Sequence, residues 1–342
     1  MNRFPALKLI WIASTCLLMA AGSWAQPVSR EVTFKGAGGL ELKGTLVLPS
    51  STGKFPAMLL LPGGGPTDRN GNQAFLQTDL LKQLAEGMAK AGIASLRFDK
   101  RAVSSTYMAS YPQDIAKFDD FISWESHLTD VRAAFKFAQS QSEIDPAKVG
   151  VLGHSEGAMF AMELATDQSG PACAILASAP GRPLGAVARD QIKASLERNP
   201  RSGIDAKKLL ADYDKALKGL LDTKKVPADV NPLIAPLFPS YASKYLYTFF
   251  SFQPAKVAPR VRCPVLVVQA EKDIQILMEK DAPALLNALK VRSTATTDYV
   301  LIGSASHNLK AVKDPNKDPG FEGPVVPLAI ERITGWLKKV LS

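Results

Sequence analysis

Short, nearly uninterrupted apolar runs alternate with stretches of helical periodicity along this chain, and few folds accept that rhythm. Ala57–Leu61 reads AMLLL, similar buried runs recur at Ala172–Ala177 and Val265–Gln269, and further strand signals lie at Ile93–Phe98, Lys148–Leu152 and Asp298–Ile302. Runs this apolar suit strands covered on both faces, as in a parallel sheet. Between and after them, Leu76–Ala91, Phe121–Gln139, Glu156–Thr166, Glu279–Leu289 and Pro327–Leu341 carry the pattern of amphipathic helices. Ahead of the series, Glu31–Lys35 and Leu40–Leu48 alternate apolar and polar residues around Gly36-Ala37-Gly38-Gly39, which predicts an antiparallel hairpin with one wet face. The expectation is an α/β fold, a mostly parallel central sheet flanked by helices.

The rhythm breaks between the sixth and seventh predicted strands. Residues 182–256 contain no convincing strand: Val187–Leu221 is helical and highly charged, and Val226–Pro254 is rich in proline and aromatics. A strand-to-strand crossover needs far less chain. The segment therefore predicts a helical cap, inserted into a core made of residues 26–181 and 257–342. Seven aromatics crowd the fifteen residues 238–252, with Tyr241, Tyr245 and Phe249 at i, i+4 spacing. Such a stripe can dock the cap on the body, and a lid over strand ends also roofs a pocket, so these three are candidate pocket residues.

The cap holds 13 Lys and Arg against 7 Asp and Glu, and so accounts for most of the +9 formal charge. No run of five or six like charges occurs, which argues against a nucleic-acid-tracking arm. Arg3 and Lys8 contribute two further positive charges at the N-terminus, ahead of the apolar stretch LIWIASTCLLMAAG at Leu9–Gly22 and the small residues of Ser23-Trp24-Ala25. That order predicts an export signal over residues 1–25, cleaved before Gln26, with the mature chain periplasmic or secreted. The competing readings are an uncleaved anchor and lipidation at Cys16, but the apolar stretch is short for a membrane span. Removing the signal leaves Cys173 and Cys263, too few for a disulfide scaffold and each opening a predicted strand, where a buried thiol is the expected role. The three histidines, His127, His154 and His307, stand at no metal-ligand spacing, so neither metal nor cofactor is expected.

The chemistry centres on Gly153-His154-Ser155-Glu156-Gly157, which follows the run KVGVL and opens a predicted helix. A G-x-S-x-G serine needs that strand, turn and helix, because it sits on a sharp turn between residues lacking obstructive side chains. A serine nucleophile also needs a base. His127 lies mid-helix, where a solvated or capping role is usual, and the His154 ring does not easily turn back onto its neighbour's hydroxyl. His307 follows the last predicted strand, at the edge where parallel sheets gather their sites. It is the candidate base. Glu271 and Asp273 both follow the buried run ending at Gln269, and either could orient it; Asp273 lies deeper in the loop and is preferred. An acyl-transfer oxyanion needs backbone donors. Glu156 N–H is one candidate, and the loop Pro62-Gly63-Gly64-Gly65-Pro66 supplies the other, with Gly64 and Gly65 favoured. A phosphate cradle is the rival for that loop, but no Lys-Ser or Lys-Thr follows its glycines.

These segments in this order resemble the α/β-hydrolase superfamily with an inserted cap. LLPGGGPTDRNGN, RFDKRAVSS, GHSEG, VVQAEKD and SASH are similar to its oxyanion, fourth-strand, nucleophile, acid and histidine segments. More narrowly, the chain resembles exported esterases of the serine-aminopeptidase-like branch. It departs from them at Ala102, where glycine is common, which puts the tightness of that loop in question. The resemblance implies hydrolysis of small carboxylic esters through an acyl-enzyme on Ser155. An aminopeptidase or amidase using the same residues, and a catalytically silent binding protein, are the alternatives. No stable membrane span is expected after signal cleavage.

Overall fold

The computed structural model of the protein describes residues 26–198, 203–293 and 295–342, so the predicted export signal with Cys16 lies outside the described residues. The alternating pair forms β1 (Val28–Lys35) and β2 (Glu41–Leu48), antiparallel with Val28 opposite Leu48 and Lys35 opposite Glu41. The remaining predicted strands become β3 (Phe55–Leu61), β4 (Ala94–Phe98), β5 (Ile144–His154), β6 (Ala174–Ala177), β7 (Val265–Ala270) and the largely exposed β8 (Thr297–Ile302). They make one eight-stranded sheet in the order β1-β2-β4-β3-β5-β6-β7-β8. Strand β2 pairs antiparallel with β1 and β4, and every other pair is parallel.

The helices longer than one turn are α1 (Leu80–Lys90), α2 (Ile115–Phe121), α3 (Trp124–Gln139), α4 (Glu156–Leu164), α5 (Leu184–Arg198), α6 (Ala206–Thr223), α7 (Ser243–Ser251), α8 (Met278–Leu289) and α9 (Pro327–Val340). Strand β3 explains why its run is apolar throughout. Leu59 and Leu61 join Trp124, Leu128, Val131 and Phe160 in the core on one face. Met58 and Leu60 join Leu81, Leu84, Ile333 and Leu337 on the other. Alternate side chains feed opposite layers, so no position on the strand can be polar.

Boundaries shift where polar side chains intervene. Helix α1 begins at Leu80 and not at Leu76, because Asn72 Oδ1 accepts from the Thr78 and Asp79 N–H groups at 2.8 and 2.7 Å and holds the preceding residues as a loop. The periodicity over Phe121–Gln139 divides between α2 and α3, with Ser123 capping α3 by accepting from Ser126 N–H. The helical stretch Val187–Leu221 likewise divides into α5 and α6, the second capped by Asp205.

Among the described residues, 182–256 contain no strand. Leu209, Tyr213, Leu220, Phe238, Leu246 and Phe250 of this segment build an apolar cluster of their own, joined by Ile122. At its root, Arg182 bonds buried Asp281 of α8 at 2.8 Å and Asp190 of α5 at 2.7 Å. Cys173 and Cys263 are free and buried, and burial pushes the Cys263 thiol up to about 11. No helix among the described residues is long and apolar enough to cross a membrane.

Candidate active site

Ser155 sits between the end of β5 and the start of α4 with φ 54° and ψ −120°. For a residue with a side chain this left-handed conformation is strained, and strain of this kind concentrates at functional sites. Its flanking glycines are steric requirements. A Cβ on Gly153 would lie 2.2 Å from Gly157 O, and one on Gly157 would lie 2.5 Å from Leu61 O and 2.6 Å from Pro62 O. The turn thus packs directly against the loop after β3.

His307 follows β8, and its Nδ1–H donates to Asp273 Oδ2 at 2.8 Å. Asp273 is itself fixed, Oδ1 accepting from Gln275 and Ile276 N–H at 2.8 Å each. Glu271 is committed elsewhere and accepts from Ser304 N–H at 2.7 Å. In the neutral ring with Nδ1 as the donor, Nε2 is the nitrogen that accepts. Ser155 and His307 line one cavity of about 380 Å³ at the C-terminal ends of the parallel strands.

Two contacts anchor the His307 main chain. His154 Nε2–H donates to His307 O at 2.8 Å, and Ser178 Oγ–H donates to the same oxygen at 2.9 Å. Burial and the nearby His307 ring push His154 down to about 3, so it serves as a neutral donor. His127 differs from its solvated expectation: it is buried, donates Nδ1–H to Ser123 O at 3.0 Å, and is pushed down to about 3 by burial and the charge of Lys100.

Glu156 N–H is the first amide of α4 and has no intrahelical partner. Across from it, Gly63 and Gly64 line the cavity. Gly65 does not. Its φ of +77° turns the chain away, and it packs beside the Gln73 side chain. The aromatic stripe divides in the same way. Phe249 lines the cavity, together with Leu184, Val187, Leu237 and Ile276. Tyr241 is 48% exposed and packs edge-on against Phe118, outside the cavity. Tyr245 is half-buried beneath the cap against Trp124 and His127, with ring centroids 5.8 and 5.4 Å apart, and lines no part of the cavity. Tyr241 lies in a tight turn, Ser240–Ala242, ahead of α7, so the helical spacing does not carry it to the cavity, and Tyr245 is spent on docking α7 against the body.

Sequence reasoning assigned no role to His154, Ser178 or Lys100. The RFDKR segment carried a signal for the last of these: four charged residues at a buried strand end require partners. Arg97 bonds Asn70 at 2.6 Å, Asp99 pairs with Arg69 at 2.8 Å, and Arg101 grips buried Asp130 with two bonds of 2.7 Å. Lys100 bonds Gly63 O at 3.0 Å and Glu156 Oε1 at 2.7 Å. Ala102 turns without a positive φ, so the loop needs no glycine there.

The family model described as "Alpha/beta hydrolase family" matches residues 58–311, from β3 through the His307 loop. The chain belongs to the alpha/beta hydrolase family. Within this family it is similar to Esterase EstD of Thermotoga maritima, 26% identical over 315 residues that cover 91% of this chain and 67% of that protein. Among solved structures, Est1E from Butyrivibrio proteoclasticus is 13% identical over 91% of this chain and 98% of its own, with a TM-score of 0.55. An esterase of Pyrococcus furiosus is 14% identical over 92% of each chain, with a TM-score of 0.54. At these identities the two structures speak to the hydrolase fold alone.

Proposed function

We propose that this alpha/beta hydrolase is a serine carboxylesterase acting on small neutral esters. The observation that carries the reading is the Asp273–His307 hydrogen bond at 2.8 Å, beside a cavity that the base shares with the strained Ser155. In this mechanism Ser155 Oγ attacks the acyl carbon while His307 Nε2 takes its proton, and Asp273 steadies the resulting imidazolium. Glu156 N–H and Gly64 N–H receive the developing oxyanion. The alcohol leaves with the proton returned by His307. A water molecule, deprotonated by the same imidazole, then hydrolyses the acyl-enzyme.

The cavity favours the ester reading over the aminopeptidase one suggested by the narrower sequence resemblance. Gripping a free α-ammonium calls for an unpaired carboxylate. Among the described residues lining the cavity, the only acid is Glu156, and its charge is taken by Lys100 at 2.7 Å. The similarity to EstD, named as an esterase, points the same way. The test is a panel of p-nitrophenyl esters against aminoacyl p-nitroanilides. Ester turnover exceeding anilide turnover is expected; faster cleavage of the anilides, or activity abolished by a chelator, overturns the reading. The proposal of export rests on residues 1–25 as sequence alone. Mass spectrometry of the chain expressed with its leader should find Gln26 at the N-terminus, and retention of Met1 contradicts it.

A further inference from the structure

The loop that carries Gly63 and Gly64 is held from the far side by the end of β4. Arg97 Nη1 donates to Asn70 Oδ1 at 2.6 Å, Arg69 pairs with Asp99 at 2.8 Å, and Lys100 Nζ reaches Gly63 O at 3.0 Å. The first two fix the outer part of the loop. The third fixes the one peptide whose orientation decides whether a donor or an acceptor faces the reacting carbonyl.

The peptide between Gly63 and Gly64 is trans, so its C=O and N–H point to opposite sides. A Gly-Gly peptide rotates at little steric cost. Turned over, it would present Gly63 O to a developing oxyanion in place of Gly64 N–H. Lys100 holds the carbonyl away from the cavity. The next carbonyl, Gly64 O, is also occupied, accepting from Thr67 Oγ1 at 2.7 Å and Gln73 Nε2 at 3.0 Å.

The same ammonium answers an electrostatic problem. Glu156 Oε2 lies 3.2 Å from where a Cβ on Gly64 would stand, so a carboxylate borders the place where negative charge develops. Lys100 pairs with its Oε1 at 2.7 Å, and the two side chains are only 7% and 5% exposed. Unpaired, so buried an anion would oppose the oxyanion strongly. The Tyr245 phenol of α7 faces this carboxylate too, which joins the cap to the same cluster.

We propose that Lys100 is a positioning residue for catalysis: it orients the Gly63–Gly64 peptide so that Gly64 N–H faces the oxyanion, and it neutralises Glu156 beside that site. The proposal rests on the esterase reading above. The rival is a buried ion pair that serves folding alone.

The experiment compares the full-length enzyme with Lys100→Met and the double variant Lys100→Met/Glu156→Gln. It reads kcat and KM on p-nitrophenyl acetate, inhibition by a trifluoromethyl ketone that forms an oxyanion on Ser155, and melting temperature. Lys100→Met is expected to lower kcat and weaken the ketone each about 100-fold, with KM within about three-fold of wild type. The double variant removes both buried charges and so leaves neither unpaired; it carries the test if the single variant does not fold. It too should stay roughly 100-fold impaired, because Gly63 O is no longer held. A folded Lys100→Met with wild-type kcat overturns the proposal. Recovery of wild-type kcat in the double variant overturns the orienting role and leaves charge neutralisation only. If wild type neither turns over esters nor is inhibited by the ketone, the esterase reading itself fails and Lys100 is not at issue.

Discussion

Asp273 binds His307 through one oxygen and two backbone amides through the other, whereas Glu271 accepts from Ser304 N–H. That division sets the expected mutational pattern. Ser155→Ala or His307→Ala should lower kcat by roughly 10⁴- to 10⁶-fold with little loss of stability. Asp273→Asn should be nearly as severe, while Glu271→Gln should cost less than about ten-fold. A crippling Glu271→Gln would reassign the acid. His127 and His154 give a second expectation, in stability. Both are pushed down to about 3 from an ordinary 6.5. As pH falls below 6.5 the unfolded chain takes up a proton at each site and the folded chain does not, so stability drops with acidification until about pH 3. At about pH 5 this amounts to roughly 2 kcal/mol per histidine. Urea denaturation between about pH 7 and 5 should show the loss, and His127→Gln should have a shallower slope than wild type. Stability that rises on acidification would contradict the neutral buried assignment.

At the scale of elements, the aromatic residues of α7 and of the turn before it divide between packing and substrate contact. Phe249→Ala should shift kcat/KM between short and long acyl esters, because Phe249 lines the cavity. Tyr241→Ala, on an exposed ring packed against Phe118, should leave that preference flat. Equal shifts in both variants would mean that the stripe acts through cap seating alone. This also marks how far the sequence could be read. The i, i+4 spacing identified the stripe, yet spacing alone does not say which ring faces inward, since that depends on where α7 lands against Trp124 and His127. The strands were legible because β3 to β7 are buried on both faces and must be apolar. The start of α1 was not, because one asparagine side chain, through bonds to Thr78 and Asp79, outweighed the apolar period. Ser155, Asp273 and His307, the proposed nucleophile, acid and base, could be singled out because each follows a predicted strand in family order. Lys100 and His154 were not, because their partners come from loops distant in sequence.

Over the whole molecule, charge and chemistry are kept apart. The cap carries most of the positive surplus, and its helix cations pair outward, as Lys208 does with Asp212 and Lys218 with Asp222. The cavity below holds no unpaired acid among the described residues that line it, only Glu156 bound to Lys100. Turnover of a small neutral ester should therefore change less than about two-fold between roughly 50 and 500 mM salt, where exposed charges are increasingly screened. A steep salt dependence would place the basic face in the substrate path. The central claim is that Ser155, activated by His307 and Asp273, is the nucleophile. It is tested most directly by labelling the purified chain with a fluorophosphonate and mapping the adduct by peptide mass spectrometry. One adduct per chain, on Ser155 and absent from Ser155→Ala and His307→Ala, is the expected result; no adduct, or an adduct on another residue that survives Ser155→Ala, contradicts the account.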